Sequence, residues 1–506
     1  MSLEEIVETT GGRVRGLRRQ RSLIFKGIPY GDDTGGPNRF LPPQPVKPWA
    51  GVRDVRQFGP SAPQFGFEPQ ASLNNIATLD PGQSEDCLVL NICTPGIRDG
   101  GHRPVMFWCH GGAYSAGNGD LDPERIACRE DVVVVSVNHR LNVFGHLALD
   151  RSFGEEFASA GNAGVLDIAA ALQWVRDNIA GFGGDPDRVL IFGVSGGGSK
   201  TAHALAMPAF EGLFRSAIVM AGHDLWKRNT IEAAERTTNE FLAILGVARG
   251  DIAKLRAFSA ADLLNAFRQM GSRFDPAWGR PAWKFWDKFS PVIDGCTLPE
   301  HPADALAAGA SREIELIVGL DRHDHFARLH AAEDFGWMSM DRLREYLQPH
   351  LADRTAEVTT AYAQASPGAT PSSLLAEIVT DFDWRIPALR LVEAKAEGGG
   401  RLARHYFTAW TSGAVGTSPL VFDRLAAHND DYLDSYVEPY DTGRALTGQV
   451  SPAFAAMARD GNPNHSGLPR WPVYSLENRE TMVFDFNSRV ENDFNGAQRE
   501  ALRGLR

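Results

Sequence analysis

The sequence predicts an α/β fold: a large, mostly parallel sheet with helices on both faces. Short apolar runs rich in β-branched residues occur at 105–108, 132–137, 189–192, 216–220 and 315–318, with the length and character of buried strands. Helical patterns lie between them, such as Asp167-Ile168-Ala169-Ala170-Ala171-Leu172-Gln173-Trp174-Val175, and strands alternating with helices give parallel sheets. Residues able to do chemistry follow directly on the ends of these runs, where working residues gather in such sheets.

The run 189–192 leads into Gly193-Val194-Ser195-Gly196-Gly197, and the segment 198–207 can start a helix. A serine between strand and helix sits on a sharp turn. The turn displays its hydroxyl and holds the backbone in a strained state that costs about 1–3 kcal/mol. Glycines at 193 and 197 are required because Cβ atoms would clash there. The helix start offers free N–H groups to an oxyanion forming at Ser195. The run 105–108 leads into His110-Gly111-Gly112-Ala113-Tyr114. Its glycines let backbone N–H groups turn towards a substrate, so Gly112 and Ala113 are the expected oxyanion donors, with Gly196 the third. His110 is expected to shape this loop by hydrogen bonding.

Phe182-Gly183-Gly184, four residues, an apolar strand and then Gly-x-Ser-Gly-Gly resemble the active-serine signature of the type-B carboxylesterases. That family includes cholinesterases and bacterial para-nitrobenzyl esterases. A second signature is resembled by Glu85-Asp86-Cys87-Leu88-Val89-Leu90-Asn91-Ile92. The stretches 7–16, 25–30 and 39–43, and Ala458-Arg459-Asp460-Gly461-Asn462-Pro463 near the end, extend the likeness over nearly the whole chain. The resemblance implies an α/β-hydrolase fold in one catalytic domain, 1–506. Helical insertions, at roughly 225–310 and 330–400, surround an active-site gorge. His110–Ala113 resembles the H-G-G-G oxyanion loop of lipases and esterases, with alanine for the last glycine.

Serine is a poor nucleophile until a base takes its proton, and histidine suits that task. In this fold the order is serine, acid, histidine. The acid position resembles Gly319-Leu320-Asp321-Arg322-His323-Asp324, which makes Asp324 the candidate and Asp321 its rival. His428, in Ala426-Ala427-His428-Asn429-Asp430, stands where the family has its catalytic histidine. His405, in a strand-like run, is the alternative. His323, His325 and His330 cluster beside the acid, but one segment rarely closes a metal site, so no metal or cofactor is expected.

Three positions depart from the family pattern. Val194 replaces a glutamate. Gly196 replaces an alanine, which is expected to loosen the turn. Ala221-Gly222-His223 stands where Ser-Gly-Ser is common. Tyr114 is a candidate to line the substrate pocket, and Trp278, Trp283, Phe285 and Trp286, with Phe289, are candidates either to line it or to pack a helical lid. Glu85, Asp86 and Arg140 read as members of structural ion pairs.

Of 506 residues, 43% are hydrophobic and 23% charged, ordinary values for a globular enzyme. A net charge of -12 argues against nucleic acid or an anionic membrane as partner. Cys87, Cys93, Cys109, Cys128 and Cys296 suit neither zinc nor a disulfide framework. Secreted members of the family bridge the signature cysteine to an upstream one whose place is taken here by Ala62, so Cys87 is expected to stay a thiol. No secretory pattern opens the sequence, so a cytoplasmic, bacterial protein is expected. The expected function is serine carboxylic-ester hydrolysis of small or medium, apolar or aryl esters, with a small-molecule ester as partner in a monomer or dimer. A non-catalytic cholinesterase-like binding protein is the alternative, as is an amidase, thioesterase or detoxifying esterase with the same triad.

Overall fold

The computed structural model describes residues 4–65, 82–222, 225–270, 274–275, 280–281, 288–322, 335–400, 402–410, 417–423 and 440–505. Its frame is a 13-stranded sheet. In chain order the strands are β1 (Glu4–Thr9), β2 (Gly12–Arg18), β3 (Leu23–Pro29), β4 (Val52–Asp54), β5 (Val89–Thr94), β6 (Arg103–Cys109), β7 (Val133–Val137), β8 (Gly184–Val194) and β9 (Ser216–Met220). A separate two-stranded ladder, β10 (Phe274–Asp275) and β11 (Arg280–Pro281), comes next. The large sheet is completed by β12 (Glu315–Asp321), β13 (Ala403–Thr408), β14 (Glu480–Phe484) and β15 (Arg489–Asn492). The spatial order is β1-β2-β3-β5-β7-β6-β8-β9-β12-β13-β14-β15, with β4 beside β2. From β7 to β14 every neighbouring pair is parallel, and the outer pairs are antiparallel except β2–β4, which is parallel. All five runs singled out in the sequence are strands of that parallel centre.

Period-two burial explains the two faces. On β6, Val105, Phe107 and Cys109 join one core while Met106 and Trp108 join the other. On β8, Val189 and Ile191 divide from Leu190 and Phe192 in the same way. Helix α3 (Ala163–Asn178), after α1 (Glu124–Glu130) and α2 (Asn142–His146), covers the first face with Val165, Ile168, Leu172 and Val175. The long helix Tyr440–Asp460 covers the second with Val450, Phe454 and Met457. Two further helical groups have cores of their own. One joins Phe241, Leu255, Leu263 and Phe267, and the other joins Leu343, Val358, Leu374 and Ile378.

The connections place a crevice. From β6 the chain moves to β7 on one side, and from β8 it moves to β9 on the other. Ligand crevices in open parallel sheets form at such a switch point, at the carboxyl ends of the strands. Cys109 pairs with Gly193 in the β6–β8 register, so the segments leaving both strands meet there. Among the described residues no helix is long and apolar enough to cross a membrane.

Buried ion pairs lock the frame. Arg140 gives two side-chain hydrogen bonds to Asp167, at 2.6 and 2.9 Å, with both side chains almost wholly buried. Arg39 pairs with Glu85. Asp86 departs from its expected pairing: it is exposed and forms no ion pair among the described residues. All five cysteines are free thiols, with Cys87, Cys93 and Cys109 buried.

Candidate active site

Ser195 follows β8 directly and is the N-cap residue of helix α4 (Gly196–Ala204), with φ 55° and ψ -122°. For a residue with a Cβ this is a rarely populated, costly state. The surroundings enforce it. The Ser195 N–H donates to the Met220 carbonyl at 2.9 Å, and the Ser195 carbonyl accepts the Ser199 N–H at 3.0 Å. A Cβ on Gly193 would lie 2.4 Å from the Cys109 carbonyl oxygen, and one on Gly197 would lie 2.0 Å from it. Both glycines are therefore obligatory, as the sequence implied, because the turn is pressed against the end of β6.

The segment leaving β6 supplies the opposite wall. Gly112 (φ 89°) and Ala113 (φ 51°) are successive residues at positive φ, which bends the loop sharply. The Gly112 carbonyl is held by the Ser115 and Ala116 N–H groups at 3.2 and 3.0 Å. Neither the Gly112 nor the Ala113 N–H donates to a partner among the described residues. The first N–H groups of α4, Gly196 included, have no partner within the helix. Gly111 faces the elbow, since a Cβ there would stand 3.6 Å from the Ser195 Cβ. Ser195, Gly111 and Gly112 are all partly open to solvent. Ser195 and the Gly111–Gly112 stretch thus lie side by side at one solvent-accessible mouth.

His110 behaves as the sequence suggests. It is buried, its Nδ1 lies 2.8 Å from the Gly111 carbonyl oxygen, and its ring stacks on His139 with centroids 4.6 Å apart. Burial holds its pKa well below the usual histidine range, so the ring is neutral. Tyr114 does not line an open pocket. It is 2% exposed, with its ring edge-on to His146 and His203. A Cβ on Gly196 would stand 2.2 Å from the Ala113 carbonyl oxygen, so the loop backbone fills the space a side chain there would need.

Asp321, the rival acid, has both oxygens engaged by Thr417: one accepts the Thr417 N–H at 2.9 Å, the other its hydroxyl. It ties β12 to the helix Thr417–Phe422. His405 sits on β13, three strands from β8 and so roughly 14 Å away. It is buried beside Thr481, as a structural histidine. Phe289 packs edge-on to Phe241 and Phe267 in a helical core. Asp324, His428, His223, Trp278, Trp283, Phe285 and Trp286 lie outside the described residues, as do His323, His325 and His330.

One residue escaped the sequence reading. Lys200 is buried on α4, its Nζ donating to the His110 carbonyl oxygen at 3.1 Å. Its only signal in the sequence is that it is the one lysine among the small and apolar residues of 196–207.

The fold and the elbow define a hydrolase of the acyl-transfer class. The chain belongs to the carboxylesterase family, whose model matches residues 3–501. It is 34% identical to the para-nitrobenzyl esterase of Bacillus subtilis (strain 168), over 98% of each chain. It is 30% identical to the phenmedipham hydrolase of Pseudarthrobacter oxydans, over 100% of each. A carboxylesterase structure from Geobacillus stearothermophilus superposes with a TM-score of 0.84 at 33% identity, covering 98% of this chain and 99% of the other. The chain is a serine ester hydrolase with an α/β-hydrolase fold, acting on small-molecule esters.

Proposed function

We propose that the enzyme cleaves small or medium esters of apolar or aryl character through an acyl-enzyme. Ser195 attacks the carbonyl carbon. His428 takes the serine proton and returns it to the leaving alcohol, Asp324 orients the imidazole, and water then releases the acid. The N–H groups of Gly112, Ala113 and Gly196 stabilise the tetrahedral oxyanion. One catalytic domain spanning 1–506 carries this chemistry. The observation that carries the reading is the left-handed Ser195 elbow set against the Gly112–Ala113 wall. The aryl preference is supported by the likeness to the para-nitrobenzyl esterase. A cytoplasmic setting is supported by the five free thiols.

Ser195→Ala and His428→Ala, assayed on para-nitrophenyl esters of graded acyl length, test the reading. Each is expected to lose about 10³-fold or more in kcat while still binding substrate. Wild-type turnover by a folded Ser195→Ala enzyme would overturn it.

A further inference from the structure

A buried cation stands behind the oxyanion loop, and ester cleavage as set out above leaves it unused. Lys200 lies on α4, five residues beyond Ser195, and is 1% exposed. Its Nζ donates to the His110 carbonyl oxygen at 3.1 Å. That carbonyl opens the loop whose next three residues are Gly111, Gly112 and Ala113. A Cβ on Gly197 would stand 2.9 Å from the same oxygen, so the carbonyl is pinned between the helix backbone and the ammonium.

Titratable groups lie around Lys200. Cys109, His110 and Tyr114 come from the end of β6 and its loop, with the Tyr114 ring centroid 6.0 Å from Nζ. His139 and His146 come from the segment after β7, and His203 from α4 itself. Burial favours the neutral form of the four histidines and of the Cys109 thiol. It holds His110 and His139 well below the usual histidine range, brings His146 down to about 3 and His203 to about 4, and pushes the Cys109 thiol up to about 12. Among the described residues Lys200 forms no ion pair. An uncompensated ammonium in such a place is costly, and an unbranched apolar side chain would fill the space without that cost.

We propose that Lys200 is a positioning residue for ester cleavage: its ammonium clamps the His110 carbonyl, fixes the oxyanion loop against α4 and sets a positive charge behind the point where negative charge develops. The inference rests on the oxyanion assignment above. No bond is made or broken by Lys200, and its action is electrostatic and geometric. Burial lowers its pKa from 10.5 to about 7. The charge therefore titrates in the working range, and the neutral amine is the weaker donor. Turnover should rise as the catalytic histidine loses its proton, then fall as Lys200 loses its own.

The test compares wild type with Lys200→Met, reading kcat, KM and melting temperature from about pH 5.5 to about pH 9.5. Wild type is expected to show an alkaline limb in kcat. The variant is expected to lose that limb and to lose about tenfold to a hundredfold in kcat, with KM within about twofold. Stability should move the other way. Between about 7 and 10.5 the unfolded chain holds the lysine proton and the folded chain does not, so wild type gains stability as pH rises through that window. Below it the buried charge burdens the fold, and the variant should melt higher than wild type, the gap closing at high pH. A lysine with only a structural role would give a lower melting temperature and an unchanged pH profile. Retention of the alkaline limb in a folded Lys200→Met enzyme would overturn the inference. So would a wild-type profile with no such limb, an outcome that needs no variant to fold. If Ser195→Ala is inactive while either result is found, only this inference fails. If Ser195→Ala is fully active, the esterase reading fails with it.

Discussion

A Cβ on Gly196 would stand 2.2 Å from the carbonyl oxygen of Ala113 and 2.5 Å from its Cα. The two residues follow different strands, Ala113 after β6 and Gly196 after β8, and meet beside Ser195. The family pattern that the sequence resembles carries glycine at 113 and alanine at 196, and this chain has the reverse. The methyl has changed sides. Ala113 sits at φ 51°, where a Cβ costs roughly 1–2 kcal/mol, and its backbone fills the space a residue 196 side chain would need. Gly196→Ala is therefore expected to displace an N–H donor and lower kcat by about 10²–10³. Adding Ala113→Gly frees the loop backbone and should restore at least about tenfold of that loss. A double-mutant cycle in kcat/KM, normalised by active-site titration, checks the coupling, and additive effects would refute it.

Asp321 and Asp324 can be told apart by what their loss does. Asp321 is committed to Thr417 through both oxygens. Asp321→Asn should cost about 1.5–3 kcal/mol of stability, the worth of hydrogen bonds to a charged group. It should leave kcat within about tenfold. Asp324→Asn should leave stability near wild type and lower kcat by about 10⁴, the penalty for a misoriented imidazole. Urea unfolding followed by tryptophan fluorescence, beside kcat at fixed pH, separates the two outcomes.

The parallel centre of the sheet was legible because buried strands announce themselves. The run 216–220 coincides with β9, and 189–192 lies wholly inside β8. The elbow was legible too, since glycines at 193 and 197 have a local steric cause. The role of Gly196 was not. Its constraint is the Ala113 backbone, 83 positions upstream, and only the β6–β8 pairing brings them together. Lys200 was missed for the same reason: a lysine reads as a surface residue until the packing of α4 is known. Tyr114 was misread because its place in the loop does not reveal that its ring turns inward onto His146 and His203.

The Arg140–Asp167 pair is expected to be the frame's most sensitive ion pair. Asp167 accepts the Arg140 backbone N–H at 2.9 Å as well as two guanidinium bonds, and both groups are out of water. Asp167→Ala strands a buried guanidinium and should cost about 3–5 kcal/mol. Asp99, which pairs with Arg103 nearer the surface, provides the contrast. Asp99→Ala should cost no more than about 1 kcal/mol. Chemical unfolding midpoints at equal slope measure both.

Acid stability should be governed by buried imidazoles. His405 and His146 are brought down to about 3, and His203 and His301 to about 4, in each case first by burial. Unfolded, each titrates near 6.5. Between about 6.5 and these lower values the unfolded chain takes up protons that the folded chain refuses. Stability is therefore fully present above 6.5 and declines as pH falls through the window. Each such group contributes a slope of up to about 1.4 kcal/mol per pH unit. Carboxylates paired with arginine, such as Asp99 at about 2, add to the loss only at lower pH, because the unfolded aspartate titrates near 3.8. His405→Gln can keep a hydrogen bond near Thr481 without a group that titrates in this range. The variant should show a shallower fall in unfolding free energy between about pH 6 and about pH 4, by as much as one such slope. Urea titrations at half-unit pH steps measure it. An unchanged slope would mean that His405 takes up its proton as readily folded as unfolded, and that burial on β13 does not set its charge.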